Sequence, residues 1–188
     1  SQQKQLLTSG FEIRRLEEWQ VNTRNNLLRY HNLQVQAKWS RLENRSDFLL
    51  NRNYLLQSYQ ISPTWAYQPQ NDFRISLSYL FADKQNLEEG NEKALWNQWA
   101  VEMRWNKLSR RNLIGIFKLI DIRYDGEVNS PVGYELLEAL QAGRNLTWSL
   151  NWQQRLANGL QINLSYEGRQ SPERPIVHLG RMQVALLF

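Results

Sequence analysis

From Asn145 to Gln153 the chain alternates without a break, Leu146, Trp148, Leu150 and Trp152 on one parity and Asn145, Thr147, Ser149, Asn151 and Gln153 on the other. The pattern resumes after Leu156-Ala157-Asn158-Gly159, where Leu160, Ile162, Leu164 and Tyr166 oppose Gln161, Asn163, Ser165 and Glu167. A last run puts Met182, Val184, Leu186 and Phe188 on one parity. Successive side chains of a strand point to opposite faces, so a period of two makes one apolar and one wet face. Here the apolar row is bulky and aromatic, and the other is amide and hydroxyl. That is the pattern of a transmembrane β-barrel wall.

The same alternation runs back through the chain and predicts nine strands. The first, about 10–22, is ragged: Phe11, Ile13, Trp19 and Val21 are broken by Arg15 and Glu17. The second, 30–42, sets Leu33, Val35, Ala37 and Trp39 against Gln34, Gln36, Lys38 and Ser40. The third, 54–67, contains Pro63, which lacks an N–H and predicts a bulge or weakened pairing. The fourth, around 73–81, and the fifth, 95–105, alternate cleanly. The sixth, 112–124, is apolar on both parities, which predicts a register shift near Ile120. Strands of about 10–14 residues exceed the soluble mode of about 5–6. They match the roughly 9–11 tilted residues that cross a bilayer.

Connection lengths are a second, independent signal. Segments 68–72, 106–111 and 155–159 are short, whereas 43–53, 83–94, 125–143 and 168–175 are long and polar. Outer-membrane barrels sort their connections in this way, with short periplasmic turns and long extracellular loops. A short helix is expected over 134–140, where Glu135 and Glu138 stand among Leu136, Leu137 and Leu140. Nine strands ending in the periplasm would start outside the cell, whereas a whole single-chain bacterial barrel has an even count. Either the ragged start is miscounted, or residues 10–188 are the C-terminal wall of a larger barrel with 1–9 as an extension or linker. The second is the expectation.

Aromatic placement agrees with that topology. Trp65, Tyr67, Phe73, Trp105, Trp152 and Phe188 fall at turn ends; Trp39, Tyr79, Phe81, Trp99, Tyr124 and Tyr166 fall towards loop ends. Two belts, with Trp148 in the same lipid-facing set, are what amphipathic rings form at two headgroup interfaces. The opposite parity gives a lumen row that includes Gln36, Lys38, Arg74, Glu102, Arg104, Asn151, Asn163, Glu167 and Arg181. Such groups are costly to bury unpaired, so they must face water, each other or a plug.

Composition removes several classes. No run of 18 apolar residues exists, so no transmembrane helix is expected. Cysteine is absent, and with it disulfide and thiolate chemistry. The net charge of +5 is scattered among acids, which argues against nucleic acid as a partner. Ser1–Gln5 lacks the apolar core of an export signal, so the chain is expected to be mature or a piece of something longer.

The ending 145–188, with Trp148-Ser149-Leu150-Asn151-Trp152, Leu164-Ser165-Tyr166-Glu167-Gly168-Arg169 and a final Phe188, resembles the C-terminus of large outer-membrane β-barrels of Bacteroidota-type bacteria. Segments 47–54, 83–86 and 129–140 resemble their loops. The resemblance implies an all-β, antiparallel up-and-down transmembrane barrel in the bacterial outer membrane. It implies contact with outer-membrane lipid and lipopolysaccharide. It also makes Met182, Val184, Leu186 and Phe188 the signal read by the barrel-assembly machinery. Other envelope proteins, or the rest of its own chain, are further expected partners.

Catalytic options are narrow. His31 and His178 have no second His or Cys at metal-ligand spacing, so neither a metal site nor a cofactor is expected. Ser165 and Asn163 lie on the parity opposite His178, which separates the parts of a hydrolase. Asp83, Glu88, Glu89 and Glu92 read as a solvated acidic loop. The leading expectation is a barrel wall with a porin-like or translocon-like passage or an anchoring role, and no enzymatic activity. The alternatives are a soluble secreted β-sandwich or lipocalin-like carrier and, behind it, an outer-membrane lipid hydrolase using His178.

Overall fold

Every hairpin that the alternation predicts forms, and each strand pairs with the next along the chain. The computed structural model describes residues 2–7, 10–46, 52–88, 90–107, 110–156 and 159–186. The elements are β1 (Gln2–Leu7), β2 (Gly10–Leu28), β3 (His31–Ser46), β4 (Tyr54–Gln70), β5 (Phe73–Asn86), β6 (Lys93–Lys107), β7 (Arg111–Asp125), α1 (Pro131–Leu137), β8 (Gly143–Arg155), β9 (Leu160–Gln170) and β10 (Val177–Leu186). They make one antiparallel sheet in sequence order, with β1 and β10 as its edges and the sheet open. The β2–β3, β4–β5, β6–β7 and β8–β9 turns gather at one end, the turn end; the longer β3–β4, β5–β6, β7–β8 and β9–β10 connections are at the other, the loop end, together with the short β1–β2 link.

Three expectations change. Residues 2–7, expected as part of an extension, form a tenth strand against Gly10–Arg15. That makes the count even and removes the parity argument for a nine-strand wall. The register shift near Ile120 does not occur: β6 pairs with β7 unbroken from Lys93↔Asp125 to Lys107↔Arg111, and Ile120 pairs in step with Asn145. Pro63 does weaken pairing, since the β4–β5 ladder has partners at Ile61 and Thr64 but none at Ser62 and Pro63, and the register resumes without a slip.

The two faces are unlike. Seven of the eight Trp (19, 39, 65, 99, 105, 148 and 152) share one parity-defined face, many of them open, with Trp19 at 74% exposure and Trp99 at 49%. No second sheet lies against this face among the described residues, as a β-sandwich would require. The face turns polar abruptly towards the loop end: Trp39 gives way to Arg41, Phe81 to Asp83, Leu119 to Asp121 and Leu146 to Arg144. From Phe73 to Phe81 the apolar stretch rises about 27 Å along the strand, or about 21 Å at a tilt of ~40°. The opposite face carries α1, and the one buried apolar cluster described lies beneath it.

Within the apolar face, Gly168 is a slot for a ring. A Cβ there would sit 2.2 Å from the Trp148 indole, its direct partner across the β8–β9 ladder. Gly180, on β10, would meet nothing within 4 Å. Gly168→Ala is therefore expected to displace Trp148 and cost about 1–3 kcal/mol in a denaturant titration. Gly180→Ala should stay within about 0.5 kcal/mol; equal effects would show that the slot is not tight.

Candidate functional site

The polar face is organised by the β7–β8 connection, which folds back onto it. Ser130 caps α1, its Oγ accepting from the Gly133 N–H at 2.9 Å, and Pro131 follows with its φ already suited to a first turn. Glu138 and Ala139 then adopt positive φ of 49° and 61° and end the helix. The helix therefore begins three residues before the expected 134–140, because the Ser-Pro cap sets its start. Seven residues cannot hold a helix alone in water. Docking stabilises it: Val132, Leu136 and Leu137 are buried with Tyr54, Leu56, Ala82, Ala94, Trp96, Ile120 and Ile122. Burying such side chains contributes about 1.5–3 kcal/mol each.

Polar contacts fix its orientation. Trp96 Nε1 donates to the Leu136 carbonyl at 3.0 Å. Lys84 Nζ reaches Glu138 at 2.6 Å and lies 4.1 Å from the Trp96 ring centre. Burial holds the Lys84 ammonium below its ordinary pKa, with Glu138 opposing the shift. Arg14 pairs with Glu135 at 3.1 Å, and the Tyr54 hydroxyl donates to Glu135 at 3.4 Å. Burial, aided by the Glu135 charge, pushes the Tyr54 phenol up to about 12. Both groups lie beyond the apolar band, towards the loop end. Asn145, fully buried on β8, donates to the Gln141 and Gly143 carbonyls.

All nine residues of the expected lumen row lie on this face by register. Arg74, Arg104, Ile114, Asn151, Ser165 and Arg181 form one cross-strand row, and Glu102 and Glu167 stand in the next. Lys38 pairs with Glu18 at 2.8 Å, and Arg104 pairs with Glu102. Gln36 sits opposite Ser62, and Asn163 between Gln153 and Gln183.

Most residues of the expected aromatic belts share the apolar face by register. Tyr79 and Trp99 lie 4.7 Å apart near the loop end of the band, with the Tyr79 hydroxyl on Asn97. Trp65 and Tyr67 stack with His31 near the turn end. Phe73, Trp105 and Trp152 share a row through Leu113, and Trp39, Phe81, Trp148 and Tyr166 follow the same parity. Tyr124 is the exception. With no register shift it shares the face of Ile120 and Ile122, where it packs beside α1 and donates to the Glu127 carbonyl. Met182, Val184 and Leu186 project together from β10, and Phe188 lies outside the described residues.

Two indoles outside the expected belts take part: Trp19, on the apolar face, and Trp96, the helix anchor. Trp96 stands on the parity opposite Trp99, and that parity was its signal. His178 Nδ1 shares a 2.9 Å hydrogen bond with the Tyr166 hydroxyl, while Ser165 and Asn163 are on the other face. Of the acidic loop, Glu88 pairs with Arg45 at 2.5 Å and Glu92 accepts from Asn86, while Glu89 lies outside the described residues. Compared with known protein families, with curated proteins and with solved structures, the chain matches none.

Two measurements test the clamp. Trp96→Phe keeps the ring and loses the bond to Leu136, worth about 1 kcal/mol, so proteolysis within 126–142 should quicken roughly fivefold with strand content unchanged. Tyr54 has a raised folded pKa, so the neutral phenol is the form that docking favours. Its contribution is complete below pH 10 and is lost as pH rises from 10 to about 12. The phenolate absorbance missing in Tyr54→Phe should titrate near the upper value; titration near 10 would show Tyr54 to be solvated.

Proposed function

We propose that this chain is a wall of a bacterial outer-membrane β-barrel whose polar face lines a passage, with α1 narrowing that passage at the loop end. The observation that carries the reading is the face holding seven of the eight Trp, open and bounded by charge at its loop end. In water, a contiguous apolar surface of this extent drives association. Against hydrocarbon it needs no cover, and its height approaches the ~25 Å band of such barrels.

Backbone saturation supports the same reading. Lipid offers no hydrogen bonds, so a spanning sheet must pair its edges. β1 and β10 run antiparallel, the relation that edges closing on each other, or on further strands, would need. The polar face would then meet water, which satisfies its amides and guanidinium groups. Short turns at one end of β2–β10 and long loops at the other support an extracellular position for α1.

Partners follow from position. Lipid would cover the aromatic band, and lipopolysaccharide headgroups would meet its loop-end rim at Arg41 and Arg144. The β10 row of Met182, Val184 and Leu186 would be offered to the barrel-assembly machinery. The loops would meet other envelope proteins. No observation favours the carrier or the hydrolase over this reading.

Tryptophan reports on it directly. In vesicles of acyl-brominated phosphatidylcholine, fluorescence of the full chain is expected to fall by more than half, because seven of eight indoles would touch acyl chains. Aqueous iodide should quench it weakly. The reverse, iodide quenching without bromolipid quenching, would overturn the membrane placement.

A further inference from the structure

Resting on the passage proposed above, we infer that it conducts small anions in preference to cations. The inference comes from which charges on the polar face are compensated. At the depth of the apolar band, Lys38 is paired with Glu18 and Arg104 with Glu102. Arg24, Arg74, Lys118, Arg169 and Arg181 share that face by register and have no ion-pair partner among the described residues. Glu167 is the one carboxylate left against them at this depth among the described residues.

The acids of α1 do not alter the balance deeper in. Glu135 is taken by Arg14 and Glu138 by Lys84, both at the loop end. The helix docks over β4–β7 and leaves the wall of β7–β10 open. There a depression of about 620 Å³ is lined by Lys118, Thr147, Ser149, Glu167 and Arg169. Nearer the turn end a second, of about 340 Å³, is lined by Asn151, Asn163, Ser165, Arg181 and Gln183. Lys118, Thr147 and Arg169 share one cross-strand row, and Ser165 and Arg181 another. The two rows are four residues apart along the strands, or about 13 Å.

Each row therefore combines an uncompensated cation with a hydroxyl that can donate to an anion. Rings of Arg and Lys select anions in pores, and conduction needs several weak sites in place of one tight site. Low-dielectric walls focus such a field, and salt screens it within about 10 Å at 0.1 M. Preference for anions should thus be greatest in dilute salt.

The full chain reconstituted in a planar bilayer under a KCl gradient gives the test. The expected reversal potential has the sign of chloride preference and grows as both salt concentrations are lowered. Lys118→Gln with Arg181→Gln should move it towards zero, while Lys107→Gln, on the opposite face at the turn end, should leave it unchanged. If the double variant fails to fold, Arg181→Gln alone, on the exposed edge strand, should give a smaller shift of the same sign. Conducting steps with cation preference, or a preference that ignores these substitutions, would overturn the inference and leave the passage standing. No conducting steps at all would overturn the passage, and the inference with it.

Discussion

The structure depends on keeping one parity apolar and the other polar across many strands at once. A slip of one residue would move every side chain of a strand to the wrong face, so a two-faced sheet specifies its own register. The ladders show that constraint at work. Register irregularities occur near the turns, at Asn25/Leu28 and Tyr67/Gln70, while the long middle stretches stay in step. Even Pro63, which cannot donate to a neighbour, interrupts the β4–β5 ladder without shifting it.

The buried apolar cluster on the polar face has one cause. Tyr54, Leu56, Ala82, Ala94, Trp96, Ile120 and Ile122 are apolar on the polar parity, and all lie towards the loop end of four adjacent strands. They form the seat of α1. A stretch that is apolar on both faces, such as 112–124, has two physical origins: a register change or a second layer. The pattern of that strand alone does not distinguish them. Loop length separates them, because 125–143 is long enough to return over the strands that it joins.

Long strands, the polar row and most of the aromatic row follow from period-two alternation, a local property. β1 lacks alternation in Gln2-Gln3-Lys4-Gln5-Leu6-Leu7, so its pairing with β2 left no mark in its own pattern. Tyr124 was misassigned because its face depended on the register shift that does not occur. The start of α1 was legible in Ser130-Pro131, but leucine spacing drew attention three residues downstream. Trp96 was legible only by asking why one indole broke parity with its seven companions.

Seat and helix are then best regarded as one folding unit. Lifting α1 would expose Ile122, Leu136 and Leu137, which are at most 2% exposed, and would separate Lys84 from Glu138. Three buried aliphatic side chains alone represent on the order of 5–9 kcal/mol. That is comparable to the stability of many whole domains, so a solute would not pass by displacing the helix. It would pass beside it, along the face of β7–β10. The polar face there is left uncovered, and the cations that escape pairing with α1 and with β2 and β6 are concentrated on it. In the proposed passage the helix would thus determine which part of the wall a solute meets, and Glu135 and Glu138, held by Arg14 and Lys84, would leave the net positive charge of that part standing.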